Sequence, residues 1–63
     1  MPAAHYQLLR RYGLSKEALR SAIQSDAQVR AEAERELELA AQIHPDRDIV
    51  SAEYASLLRE VLG

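Results

Sequence analysis

SDAQVRAEAERELELAAQIHPDRD, residues 25–48, is the stretch that decides the fold. It contains no Gly, its only Pro is Pro45, and it is rich in Ala, Glu, Arg and Leu, which favour helix. The residue before a proline is pushed out of helical geometry, so the helix must end before Pro45. We therefore predict a helix from Asp26 to Ile43 that forms the spine of the fold.

Two shorter helices are predicted before the spine. Residues 3–12 repeat apolar side chains at the spacing of one helical face, and Gly13 follows as a suitable left-handed cap. Ser15 is a favourable N-cap for a second helix that runs from Lys16 to about Gln24. At Ser25 the chain either restarts a helix or continues as one long helix. The capping-box pattern Ser25-Asp-Ala-Gln favours a break or kink at this point.

A final helix is predicted from Ile49 or Ser51 to Leu62, after a loop in which Asp46 and Asp48 are candidate N-caps. The predicted fold class is all-α. We expect a single domain over residues 1–63, built as a small bundle of three to four short helices. Met1, and Gly63 directly after the last helix, fit a complete small protein.

Composition limits what this chain can be. Its 63 residues include fifteen Leu, Ile and Val, three Tyr, no Phe and no Trp, so the core is thin and a partner or self-association is expected. The absence of Cys excludes disulfides and thiolate zinc sites. No apolar run approaches the ~18 residues of a membrane span, and the N-terminus lacks a signal-peptide pattern. These features predict a soluble, cytoplasmic protein.

Two acidic residues occupy an unexpected place on the spine. Glu32 and Glu36 project into the side of the predicted helix that otherwise carries Val, Ala, Leu and Ile. A carboxylate on an apolar face must reach water, pair with a base or meet a partner. Either Arg10, Arg11 or Arg20 of the same chain lies beside this face, or a base from a second chain does.

Two surfaces are candidate contact sites for a protein partner or a second copy. One surrounds the small side chains near the centre of the spine, and the other is the apolar stripe of the final helix. They predict a small regulatory or interaction protein that acts by binding another macromolecule, with association as a dimer expected. The interface residues are Ala33, Glu36 and Ala40 on the spine and Tyr54, Leu57, Leu58 and Val61 on the final helix.

The charge is distributed unevenly along the chain. Residues 1–24 contain four Lys or Arg against one Glu, a net charge of +3, while residues 25–63 contain nine acids against four Arg, a net charge of −5. Such polarity can direct an anionic partner to the N-terminal third. The same charge distribution is also expected if these helix faces are simply exposed to solvent and bind no charged partner.

Residues 8–23, LLRRYGLSKEALRSAI, resemble the helix-turn-helix of small bacterial and phage DNA-binding proteins. An aliphatic residue stands four positions before the turn glycine Gly13, an aliphatic residue and the cap Ser15 follow it, and Leu19 fills the buried position of the second helix. The resemblance implies that the second helix enters the major groove and that the arginines before the turn lie near phosphates. The implied DNA-contacting residues are Arg10, Arg11, Lys16, Glu17, Arg20 and Ser21.

The tripeptide His44-Pro45-Asp46 resembles the signature loop of J-domain co-chaperones. The resemblance implies stimulation of an Hsp70 ATPase. In that family the preceding helix has a basic face, whereas in this chain it carries Glu32, Glu34, Glu36 and Glu38. The same three residues also suit a plain stop and restart of a helix.

No pattern of catalytic residues stands out. His44, Asp46 and Asp48 lie close in sequence, but their spacing matches no known metal loop, and capping explains the two Asp residues. We find no nucleophile–base pair, phosphate-binding glycine loop or paired carboxylates. We therefore expect a protein that is not an enzyme and that uses no cofactor or metal.

Overall fold

The computed structural model describes residues 6–63, which form four helices and no strand. The helices are α1 (Gln7–Tyr12), α2 (Lys16–Ser25), α3 (Ala27–Gln42) and α4 (Ile49–Leu62). The predicted all-α fold is confirmed. Residues 3–5 of the predicted first helix lie outside the described residues, and Tyr6 is the extended N-cap of α1. None of these helices combines the length and hydrophobicity that a membrane span requires.

The turn between α1 and α2 follows the sequence pattern closely. Gly13 has φ 65°, in the left-handed region that favours glycine, and its N–H donates to the Leu9 carbonyl at 2.8 Å. Ser15 then caps α2, because its Oγ accepts a hydrogen bond from the Ala18 N–H. Two helices are thereby joined by a turn of only three residues.

The break between α2 and α3 is confirmed, but the predicted cap is wrong by one residue. Asp26 is extended, and its Oδ1 accepts from the Gln28 N–H at 2.8 Å, so Asp26 caps α3. Ser25 is the last residue of α2, and its Oγ donates back to the Ser21 carbonyl at 2.7 Å. Asp26 is therefore the first residue after α2 that is free to cap α3, and the helix dipole favours its carboxylate at that position.

α3 and α4 form an antiparallel hairpin and make the largest helix–helix contact of the described structure. α3 ends before Ile43, and α4 begins after its N-cap Asp48, whose two carboxylate oxygens accept from the N–H and the hydroxyl of Ser51. The small side chains of Ala33 and Ala40 on α3 are fully buried, and small side chains let packed helices approach closely. The predicted start of the last helix at Ile49 is confirmed.

The interior is completed by side chains from all four helices and from Tyr6. Leu19 and Ile23 of α2, and Leu8 of α1, are buried against the hairpin. α1 makes the smallest contribution, because it has only six residues and makes few contacts with α2 and α3. The later helices therefore hold α1 in place.

Replacing Asp26 by Ala should reduce the free energy of unfolding by about 1 kcal/mol, because α3 loses its side-chain cap. The matched control is Ser25→Ala, which leaves that cap intact and should change the free energy by less than about 0.5 kcal/mol. Urea unfolding followed by far-UV circular dichroism measures both. A larger loss for Ser25→Ala than for Asp26→Ala would contradict this assignment of the cap.

Candidate functional site

Glu36 is a buried carboxylate that binds the start of α1. Only 3% of the residue is exposed. Its Oε2 accepts from the Gln7 N–H at 2.9 Å, and its Oε1 lies 3.3 Å from the Leu8 nitrogen, which also donates to it. The first N–H groups of a helix have no partner within the helix, and the N-cap residue Tyr6 offers no side-chain acceptor. Glu36 thus caps α1 from the neighbouring helix α3.

The Tyr54 hydroxyl donates to Glu36 Oε1 and connects α4 to the same carboxylate. The ring of Tyr54 packs against that of Tyr6 with 5.0 Å between centroids. Because the Ser51 hydroxyl donates to Asp48 Oδ2 at 2.8 Å, the Tyr6 hydroxyl is the donor in its 2.8 Å bond to Ser51 Oγ. No buried side-chain polar atom of residues 6–63 lacks a partner. We name these five side chains (Tyr6, Glu36, Asp48, Ser51, Tyr54) the polar cluster.

The environment of the cluster shifts the pKa values of its acids in opposite directions. Burial raises the pKa of Glu36, and the nearby Glu32 adds to the rise, although the hydrogen bonds from Tyr54, Leu8 and Gln7 oppose it. Hydrogen bonds from Ser51 lower the pKa of Asp48. Folded Glu36 therefore holds its proton more firmly than unfolded Glu36, and its contribution to stability declines as pH rises above the unfolded pKa. The pH dependence is reversed for Asp48. Because its pKa is lowered in the folded state, it stabilises the fold at higher pH, and this stabilisation is lost as pH falls.

The arginine predicted beside the acidic residues from the same chain is not found within residues 6–63. Glu36 binds backbone N–H groups and a tyrosine, and Glu32 pairs with Arg35 on its own helix. Arg10, Arg11 and Arg20 are exposed and make no ion pair with Glu36 within residues 6–63. The N-terminus of α1 supplies the positive electrostatic end that a cation was expected to supply.

The residues predicted to contact a partner lie in the interior of the monomer. The hairpin contact explains this, since the two predicted surfaces face each other across α3 and α4. All of these side chains except that of Val61 are covered by the chain itself. Ala33, Glu36, Ala40, Tyr54, Leu57 and Leu58 are buried, and Val61 is partly buried against the same core.

The residues predicted to contact DNA all lie on the surface. Arg10 and Arg11 are exposed on α1, and Lys16, Arg20 and Ser21 are exposed on α2. By helical periodicity, Lys16 and Arg20 lie at the edge of the face that buries Leu19 and Ile23, and Ser21 lies on the opposite side of α2. Lys16 Nζ lies 3.6 Å from Glu60 Oε1, and because both groups are exposed this ion pair holds Lys16 only weakly. We name these five residues the basic surface; Glu17 is exposed beside them.

A cleft of about 460 Å³ lies between α1 and α3 and is open to solvent. Its walls include Arg11 and Arg35 but also Asp26 and Glu32, so the charges are mixed. A second depression of about 300 Å³ is lined by Gln7, Arg10 and Arg11. These concave regions are shallow clefts beside the basic surface and do not enclose a small molecule.

The loop that carries His44-Pro45-Asp46 lies at the tip of the α3–α4 hairpin and is exposed. His44 Nδ1 accepts from the Asp46 N–H at 3.2 Å, and the His44 carbonyl accepts from the Arg47 N–H at 2.9 Å. These contacts shape the loop itself. The J-domain function stays a prediction, and the acidic residues of α3 that depart from that family remain its main difficulty.

Replacing Glu36 by Ala should reduce the free energy of unfolding by about 2–4 kcal/mol, because it leaves two backbone donors and a tyrosine hydroxyl unsatisfied and opens a cavity. Tyr54→Phe removes one of these hydrogen bonds and should cost about 1–2 kcal/mol. The control Glu38→Ala, at an exposed position of the same helix, should change the free energy by less than about 0.5 kcal/mol. Equal losses for the variants of Glu36 and Glu38 in urea unfolding would refute the capping role.

Comparison with known protein families, curated proteins and solved structures finds no significant match to this chain. The helix-turn-helix and J-domain resemblances are therefore supported only by their short sequence motifs, residues 8–23 and His44-Pro45-Asp46. What this protein does must be inferred from its own surface and its own buried contacts.

Proposed function

We propose that this chain is a small, non-catalytic binding protein that contacts duplex DNA through α1, the three-residue turn and α2. One observation carries the proposal: Arg10, Arg11, Lys16, Arg20 and Ser21 are all exposed on two consecutive helices. A macromolecule can therefore reach all five side chains while the fold is intact. The alternative contact surfaces on α3 and α4 are used by the chain itself.

Charge supports an anionic partner for this surface. The N-terminal third has a net charge of +3, and the remainder has a net charge of −5. A phosphate backbone approaching the molecule is attracted to α1 and α2 and repelled by the acidic remainder, which favours one orientation. Arginine forms two parallel hydrogen bonds to a phosphate, so Arg10, Arg11 and Arg20 suit contacts that position the protein.

The arrangement of the two helices supports duplex DNA over other polyanions. In a helix-turn-helix the second helix presents its N-terminal residues to base edges, while the first helix crosses the backbone. α2 begins with Lys16 and has the exposed residues Arg20 and Ser21 one turn later. Lysine, arginine and serine can each hydrogen-bond to base edges in the major groove. In this proposal α2 reads the groove and α1 contacts phosphates.

The proposal predicts salt-sensitive DNA binding that depends on the basic surface. Fluorescence anisotropy with a labelled duplex should give an affinity that falls linearly with salt on logarithmic axes. Replacing Arg10, Arg11 and Arg20 by Ala should weaken binding at least about tenfold and reduce the salt slope by about 3, roughly one for each phosphate contact.

The matched control replaces Arg30, Arg47 and Arg59 by Ala. It removes the same charge from exposed positions outside the basic surface and should leave the salt slope unchanged. Equal weakening by the two triple variants would mean that net charge alone drives binding. That result, or an absence of salt-dependent binding by the parent protein, would overturn the proposal.

A further inference from the structure

α1 cannot hold its own position in the fold. Six residues are far fewer than the 12–15 or so that an isolated helix needs for even marginal stability. Tyr6 and Leu8 are buried, the Tyr6 hydroxyl binds Ser51, and Glu36 binds the first two N–H groups of the helix. Because Arg10 and Arg11 lie in the last turn of α1, these anchors at its start decide where both arginines lie.

We propose that Glu36 is the positioning residue of the basic surface: by capping α1 from α3 it holds Arg10 and Arg11 beside α2, so that both helices bind as one surface. The inference rests on the proposed function for its consequence in DNA binding. The docking of α1 can be measured without DNA. Glu36 is too deeply buried to touch a partner, so it acts only through α1.

Glu36 differs from the other anchors because it can change its charge. Its own helix presents Glu32, and α4 presents the Tyr54 hydroxyl. α1 presents two backbone N–H groups, and within residues 6–63 neither the arginines of α1 nor any base of α2 forms an ion pair with it. Among residues 6–63, dipoles rather than cations therefore stabilise this carboxylate, and loss of its proton places a net charge in the interior.

This environment fixes the direction of the pH dependence. Burial is the largest cause of the raised pKa of Glu36 and outweighs the hydrogen bonds from Tyr54, Leu8 and Gln7, which lower it. Release of α1 returns the carboxyl group to water and removes that burial, so docking of α1 favours the protonated form. Docking is strongest below the unfolded pKa, about 4.3, and weakens as pH rises through the higher folded value. Glu38 is exposed on the same helix and serves as the control position.

The test compares the parent protein with Glu36→Gln and the control Glu38→Gln. Amide hydrogen exchange, corrected for intrinsic exchange rates, measures how well α1 is docked. The measured quantity is the protection of the α1 amides relative to the protection of the α3 amides, and the α1 amides followed are those of Arg10, Arg11, Tyr12 and Gly13. Between about pH 4 and pH 8, α1 protection in the parent and in Glu38→Gln should fall relative to α3 and should stay flat in Glu36→Gln. DNA affinity should fall over the same range by about threefold more in the parent than in Glu36→Gln.

Tyr54→Phe keeps the carboxyl group but removes a hydrogen bond that lowers its pKa, so the fall in α1 protection should move to higher pH. This variant tests the inference even if Glu36→Gln does not fold. The same pH dependence in Glu36→Gln as in the parent, or no shift in Tyr54→Phe, would overturn the inference.

The two proposals fail in different ways. If the parent protein does not bind duplex DNA, the proposed function is overturned, and hydrogen exchange alone decides whether Glu36 positions α1. If the parent binds DNA but its affinity does not follow α1 protection, the function stands and the positioning role is overturned.

Discussion

The carboxylate of Glu36 is the interaction on which the arrangement of the helices depends. A charged group in a protein interior is costly unless hydrogen bonds satisfy it, and this one accepts hydrogen bonds from the first turn of α1 and from Tyr54 of α4. One side chain of α3 thus joins three helices. Since α1 is short and has no side-chain cap of its own, the carboxylate supplies what its local sequence lacks.

Most of the helix boundaries follow from local chemistry and are therefore readable in the sequence. Gly13 and Ser15 define the first turn, and α3 ends at Gln42, three residues before Pro45. The cap of α3 was misplaced because Ser25 and Asp26 are both good caps, and the sequence does not say which residue the preceding helix will include.

The candidate site was only partly predictable, because partners across the fold have no local signal. Glu36 stood out as an acid on an apolar face, but a sequence shows cations far more plainly than it shows the N–H groups of a distant helix end. The same limit applies to the stripe that includes Tyr54 and Leu58, since an apolar face looks alike whether it meets its own chain or another. The buried Tyr6–Ser51 pair has no signal in the sequence for this reason, whereas the arginines of α1 and α2 are exposed because charge favours solvent.

The most direct test of Glu36 as the buried cap of α1 is an NMR titration that follows the side-chain carboxyl carbon of Glu36 together with the backbone amides of Gln7 and Leu8. Because both amides donate to this carboxylate, their resonances should shift with the same midpoint as the carboxyl carbon, and Glu36→Gln should abolish that shift. Gln7 and Leu8 amides that do not respond when Glu36 titrates would contradict the claim that the contact between Glu36 and α1 holds the helices in their arrangement.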